Sequence, residues 1–277
     1  MTVAGISTEV DKNLEDGGQR TMRFCVLGSS SYGNCTLVSF GDNSILIDAG
    51  LPVRYTASKV KEITGKEKVE GIFVSHEHSD HTRNLFPLSK KLDSPVYLSP
   101  PVSWYLGDTD GAEVRHISDG VPVRIGDLTI TPFIVPHDAI DPFGFIISSA
   151  GGSIGLITDL GNVDDRIIEL LRNREGLVIE SNHDMDMLLK GRYPGYLKSR
   201  IMDGRGHLSN QQCGQLLKEV IGPLTRDVVL VHLSEENNDP LLALETSMEA
   251  LECSHHNPRV HVSYPRNPTE VIDINRN

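Results

Sequence analysis

Short apolar runs separated by small polar clusters dominate the chain beyond its first twenty residues. Phe24-Cys25-Val26-Leu27, residues 36–40 and residues 44–48 read as strands, the last two joined by Gly41-Asp42-Asn43 as a hairpin turn. Further strands fit 69–75, 96–99, 128–135, 144–149, 153–158, 177–180, 227–233 and 260–263. The run over 69–75 reads as a buried strand. Helical segments fit 55–64, 84–91, 164–173, 209–220 and 241–251. Ser209 supplies an N-cap for the fourth, and Gly222-Pro223 ends it. Both halves carry β-rich runs followed by helices, which predicts an α/β protein of two sheets covered by helices, with loops at one end free to form a site. Residues 182–208 read as one long irregular loop, and loops of that length are usually functional.

Met1 to Arg20 is polar and has no apolar h-region, so it reads as a tail over 1–21 ahead of a single domain over 22–277, and not as a secretory signal. A chain of 277 residues can bury a sizeable core. No stretch approaches the roughly 20 apolar residues of a membrane span, so no membrane partner is expected. Cys25, Cys35, Cys213 and Cys253 form no CxxC pair, which fits buried, inert thiols and a cytoplasmic, reducing setting. The formal net charge of -12 argues against a basic nucleic-acid coat protein. It leaves room for an enzyme with a local basic groove, because metal ligands account for part of the acidity.

The chemistry concentrates in His76-Glu77-His78-Ser79-Asp80-His81, directly after an apolar strand. Imidazole nitrogen and carboxylate oxygen suit zinc, manganese or iron. One ion needs only three or four such ligands, and the chain offers more. His137, Asp159 and His232 each lie at the C-terminal end of an expected strand, where α/β architectures place their sites.

This order of residues resembles the metallo-β-lactamase superfamily, whose pattern HxHxDH is followed by a later His, an Asp and a final His. The resemblance spans 22–265 and implies an αββα four-layer sandwich holding two divalent ions, zinc or manganese with iron also suited. It implies that His76, His78 and His137 hold the first ion, that Asp80, His81 and His232 hold the second, and that Asp159 bridges them. The superfamily's β-lactamases tend to carry cysteine at the bridging position, and its phosphodiesterases and thioesterases aspartate. Two such ions roughly 3.5–4 Å apart can share a hydroxide as nucleophile and clamp both oxygens of a phosphoryl displacement. Asp80 could also orient the attacking water.

On the substrate side, Lys190, Arg192, Lys198, Arg200 and Arg205 lie close together with Tyr193 and Tyr196, a composition that suits a polyphosphate backbone and unstacked bases. His183 and His207 are extra to the ligand set. In nucleic-acid-processing branches of the superfamily an extra His with an acid partner contacts or protonates the scissile phosphate, and His207 with Glu180 is similar to that arrangement. Gly28-Ser29-Ser30-Ser31-Tyr32-Gly33-Asn34, Asn182-His183-Asp184, Gly206-His207-Leu208-Ser209-Asn210 and His232-Leu233-Ser234-Glu235-Glu236-Asn237-Asn238 look like the YycJ/WalJ family. That likeness implies a metal-dependent 5′-to-3′ DNA exonuclease linked to mismatch repair. DNA is then the expected partner ahead of RNA. A ribonuclease, a small-molecule hydrolase of thioesters or cyclic phosphodiesters, and a non-enzymatic regulatory partner are the competing readings. The sequence leaves oligomeric state open.

Overall fold

The computed structural model describes residues 21–252 and 254–274; residues 1–20 of the tail expected over 1–21, and Cys253, lie outside them. The first half runs β1 (Met22–Gly28), β2 (Cys35–Phe40), β3 (Asn43–Ile47), α1 (Val53–Thr64), β4 (Gly71–Phe73), α2 (Ser79–Thr82), α3 (Leu85–Leu92), β5 (Val96–Leu98), α4 (Pro100–Leu106) and β6 (Val114–His116). The second half runs β7 (Val123–Ile125), β8 (Leu128–Ile134), β9 (Phe143–Ser149), β10 (Gly152–Ile157), α5 (Asp165–Leu171), β11 (Gly176–Glu180), α6 (Met185–Lys190), α7 (Gly195–Met202), α8 (Asn210–Val220), β12 (Asp227–Val231), α9 (Pro240–Leu251), β13 (Arg259–Val262) and β14 (Ile272–Ile274). One sheet has the order β14-β1-β2-β3-β4-β5-β6, and the other β13-β12-β11-β10-β9-β8-β7.

The two-residue period of a strand explains the four layers. Phe24, Val26, Ile45 and Ile47 point into a central core shared with Phe145, Ile147, Leu156 and Val178 of the opposite sheet. Their neighbours Cys25, Leu27 and Leu46 point the other way, onto Val60 of α1 and Leu85 and Leu88 of α3. On the far side Ile157, Leu177 and Val228 pack under Leu171 of α5 and Leu217 of α8. Each fully buried Leu, Ile or Phe contributes about 1.5–3 kcal/mol of hydrophobic stabilisation. The result is the expected α/β sandwich, with both faces of each sheet covered.

Three expectations are corrected. Residues 182–208 are not one irregular loop, because α6 and α7 form within them; both are short, and α6 is started by the side chain of Asp184 accepting from Met187 N. The strand expected over 227–233 stops at Val231, where His232 takes a left-handed backbone (φ 56°) and leaves the sheet. The strand expected over 69–75 narrows to β4, so the histidine cluster begins on a loop and enters α2. Strands β6, β7 and β14 were too short to carry a readable alternation. Among the described residues no helix is long and apolar enough to cross a membrane.

Strands β3 and β4 run parallel, as do β10, β11 and β12, while β8 is antiparallel to β9 and β9 to β10. The segments that follow β3, β4, β8, β10, β11 and β12 therefore emerge at the same ends of their sheets. Asp48, His76, His137, Asp159 and His232 sit on those segments, and Glu180 ends β11.

Candidate metal centre

The six ligand-type residues on these loops, with His78 and Asp80, converge on one place. His76 Nε2 lies 3.0 Å from His78 Nδ1, which lies 3.4 Å from His137 Nε2. Tetrahedral ligands at the usual 2.0–2.1 Å bond lengths stand about 3.4 Å apart, so this spacing suits a shared ion. Beside it, His81 Nε2 lies 3.2 Å from Asp80 Oδ2, and His232 Nε2 lies 3.4 Å from the same oxygen. Asp159 stands between the groups: Oδ2 is 3.0 Å from His81 Nε2, and Oδ1 is 3.6 Å from His137 Nε2. Among the described residues Asp159 Oδ2 and His232 Nε2 are buried and, apart from these ion-pair contacts, make no hydrogen bond, which is the condition of ligand atoms aimed at an ion.

The opposite ring nitrogens are engaged, and this fixes which nitrogen faces inward. His81 Nδ1 meets Asp48 Oδ2 at 2.7 Å, and Asp48 also accepts from Ser75 N at 2.8 Å. His76 Nδ1 is 3.0 Å from Ser75 Oγ, and His137 Nδ1 is 3.0 Å from the carbonyl of Gly206. His232 Nδ1 and His207 Nδ1 both meet Glu180 Oε1, at 2.9 and 2.8 Å. Glu180 is fully buried, and its Oε2 accepts from Leu160 N at 2.9 Å and Leu208 N at 3.0 Å. One carboxylate thus ties the loop after Asp159 to the loop of His207 and to His232.

The other motifs serve the same frame. His232 N donates to Ser29 Oγ at 2.9 Å, and Asn182 Nδ2 holds the His232 carbonyl at 2.8 Å, pinning its left-handed backbone from both sides. Asn34 Nδ2 donates to Asp80 Oδ2 at 3.1 Å. Asn210 and Asn238 exchange side-chain bonds of 2.8 and 2.9 Å, and Asn238 also donates to the carbonyls of Ser181 and Asn182. The three segments that carry His183, His207 and His232 are therefore stitched together by buried amides.

The electrostatics favour cations. Burial opposes charge on His81, yet Asp80, Asp48 and Asp159 outweigh it and raise the imidazole well above its ordinary value. Burial likewise opposes charge on His232, and Asp159, Asp80 and Glu180 raise it. Asp80 and Asp159 are both held below the usual carboxylate range, against burial, by the neighbouring imidazoles. A field that strong around buried nitrogen and oxygen donors suits divalent ions, so the residue set fits the metals implied by its chemistry. His76 sits on the other side of this balance: burial, reinforced by His81, pushes it well below its ordinary value, toward the neutral form that ligates.

The centre opens into a cavity of ≈ 300 Å³ lined by His78, Asp80, His137, Asp159, His207 and His232, with Ser31, Asp138 and Arg200 at its sides. Of the basic residues singled out in the sequence, only Arg200 lines it, its Nε 2.7 Å from Asp138 Oδ2. Lys190 is exposed and paired with Asp186 at 2.6 Å. Lys198 Nζ donates to the carbonyls of Leu189 and Gly191 at 2.7 and 2.8 Å, tying α7 to the end of α6. Arg192 and Arg205 are exposed, and Tyr193 is half-buried, its hydroxyl pushed up by burial. His183 is buried; among the described residues its ring nitrogens have no partner, and burial lowers it to about 4. Asp48, Ser75 and Asn34 were not singled out in the sequence. An acid after an apolar strand, as in Ile47-Asp48, was the available signal for the first.

Comparison with known proteins agrees with this architecture. Residues 43–233 match the family model described as beta-lactamase superfamily domain. The chain is 34% identical over 260 residues to "Exodeoxyribonuclease YycJ" of Bacillus anthracis, covering 90% of this chain and 98% of that protein. It is 34% identical over 236 residues to "Exodeoxyribonuclease WalJ" of Streptococcus pneumoniae, covering 83% of this chain and 88% of that one. Among solved structures, the metallo-beta-lactamase fold protein YhfI from Bacillus subtilis superposes with a TM-score of 0.70 at 19% identity, over 90% of this chain and 99% of that one. The chain therefore belongs to the beta-lactamase superfamily, within its YycJ/WalJ family, and is a metal-dependent hydrolase.

Proposed function

We propose that this chain is a two-metal phosphodiesterase that shortens DNA from its 5′ end. The observation that carries the reading is the meeting of two three-donor groups at Asp159, with the Glu180–His207 pair beside them on the same cavity. The names of the relatives support DNA as the polymer.

His76, His78 and His137 would hold one ion, Asp80, His81 and His232 the other, and Asp159 would bridge. Bound there, divalent ions ionise water near neutral pH and offset the charge of phosphoryl oxygens. The chain's own groups do the rest. Asp80, which lines the cavity and accepts from Asn34 Nδ2, can fix an attacking water. His207 gives its Nδ1–H to Glu180, so that in the imidazolium form Nε2–H is the group that would contact the scissile phosphate and pass its proton to the leaving oxygen, leaving a neutral ring. Arg200, on the cavity wall, can face a non-bridging phosphate oxygen. Arg192, Arg205, Tyr193 and His183 fall outside the lining residues, so any contact they make with DNA lies beyond the reacting phosphate. The buried free thiols Cys25, Cys35 and Cys213 fit a cytoplasmic, reducing setting.

The test is turnover of end-labelled DNA and RNA by the manganese-loaded protein. The reading expects a 5′ label to appear first as mononucleotide and a 3′ label to give a descending ladder. A protein that leaves every labelled DNA intact, or that shortens RNA and not DNA, contradicts it.

A further inference from the structure

The cavity over the metal centre is at the small end of ligand pockets, so most of a polymer bound there must leave it. The sequence pointed to the segment 190–205 as the exit, but Lys190 and Lys198 are committed to partners within the protein. A second concavity of ≈ 780 Å³ is lined by Tyr32, Leu51, Arg83, Tyr264 and Arg266, together with Glu235. We infer that this groove is the track for the single-stranded DNA segment that follows the scissile phosphate, an inference that rests on the nuclease reading above.

Continuity is the first argument. Ser31 lines the catalytic cavity and Tyr32, the next residue, lines the groove. Gly50 forms part of the groove's floor, and a Cβ there would fall 1.6 Å from the carbonyl oxygen of Asp80. The groove floor is thus in van der Waals contact with the main chain of a candidate ligand. Gly33 lines the same floor, where a Cβ would stand 2.9 Å from the Gly50 carbonyl. Only glycine allows the backbone under the groove to pack this closely against the main chain of Asp80.

Chemistry is the second. Arg83 and Arg266 are exposed, and among the described residues neither has a carboxylate within ion-pairing distance. Arg83 Nη1 reaches only the carbonyl of Tyr32, at 3.3 Å, which positions it at the mouth. The main chain on the opposite wall is fixed: Ser29 N donates to the Tyr264 carbonyl at 3.1 Å, and the Tyr55 hydroxyl donates to the Arg266 carbonyl at 3.2 Å. Tyr32 is 63% exposed and Tyr264 47% exposed, so both rings are open to a stacked base. Unpaired guanidinium groups beside exposed rings match a backbone-tracking groove with base-stacking platforms. In a chain of net charge -12, the charged residues lining the groove are two arginines against Glu235, a net of one positive charge.

The experiment measures KM for oligothymidylates of increasing length, across a series of salt concentrations, with the manganese-loaded full chain. In the wild type KM should fall as the oligonucleotide lengthens. In Arg83→Ala/Arg266→Ala that gain should be lost, and the slope of log(1/KM) against log[salt] should shrink by about 1 per arginine removed. Tyr264→Ala should raise KM for the longer oligonucleotides by roughly five-fold or more. Glu235→Gln should lower KM for the same oligonucleotides, a gain that a misfolded protein cannot produce. If the double arginine variant keeps the wild-type length and salt dependence and Glu235→Gln changes nothing, the groove is overturned while the nuclease reading stands. If the wild type shortens no oligonucleotide, the nuclease reading fails and the groove falls with it.

Discussion

Replacing Glu180 by glutamine tests the centre without changing its shape. The native carboxylate accepts four hydrogen bonds, from Leu160 N, Leu208 N, His207 Nδ1 and His232 Nδ1. An amide has one oxygen and one NH₂, so it can go on accepting from only one pair of these donors. With the NH₂ toward the backbone, two buried N–H groups lose their acceptor at about 1–3 kcal/mol each. The opposite orientation keeps those bonds and turns the NH₂ toward the imidazoles. Each ring can then accept at Nδ1 only by moving its own proton to Nε2, which is the cheaper adjustment. The Nε2 of His232 would then carry a hydrogen in place of the lone pair it points toward Asp80 and His81. Loss of such an orienting partner typically weakens metal affinity 10–100-fold, or about 1.4–2.7 kcal/mol. Glu180→Gln should therefore fold, bind one ion nearly as the wild type does, and bind the second about 10–100-fold more weakly by calorimetric titration with Mn²⁺. Wild-type affinity for both ions would refute the reasoning, as would equal weakening at both.

Other outcomes follow from the same contacts. Saturating Mn²⁺ or Zn²⁺ should raise the melting temperature, EDTA should remove the gain, and His81→Ala should lose most of it together with all turnover; each hundred-fold excess of ion over its Kd corresponds to about 2.7 kcal/mol. Arg200→Ala should raise KM for DNA several-fold, whereas Lys190→Ala, which breaks only an exposed pair worth about 0.2–1 kcal/mol, should leave KM and melting temperature near wild type. Buried Asp227 accepts from Arg259 and His261, which outweigh burial and hold its carboxyl below the usual range. A depressed carboxyl stabilises above its unfolded value of about 3.9 and loses that contribution as pH falls through the folded value. Asp227→Asn should therefore be less stable than wild type to urea at pH 7, and the gap should narrow below about pH 4; a gap independent of pH contradicts the assignment.

The residues legible in the sequence were those whose chemistry is local. His76, His78, Asp80 and His81 share one loop, and Asp159 and His232 each follow an apolar run, so proximity in sequence or position after a strand exposed them. Two sheets covered by helices were legible because β-rich runs followed by helices recur in both halves, and the four-layer order came from the resemblance to the superfamily. Asp48 escaped notice because a lone acid after a strand looks like any turn residue until its partner His81 is brought to 2.7 Å by the fold. The segment 190–205 shows the converse. Composition counts its positive charges but not that Lys190 spends its own on Asp186 and Lys198 on two carbonyls. Helices α6 and α7 were missed because Gly191, Pro194 and Gly195 punctuate the segment and read as loop, whereas α3, as long as α7, carries no such break at its edges. Arg83 and Arg266 lie on opposite halves of the chain, and only packing of the loop after β1 brings them to one groove.

The most direct measurement titrates metal-free protein with Mn²⁺ while following release of a 5′-terminal label from DNA. The account predicts that turnover reaches its plateau at two ions per chain and is abolished in the Asp159→Ala variant. Full turnover with one ion per chain, or in excess EDTA, would contradict it.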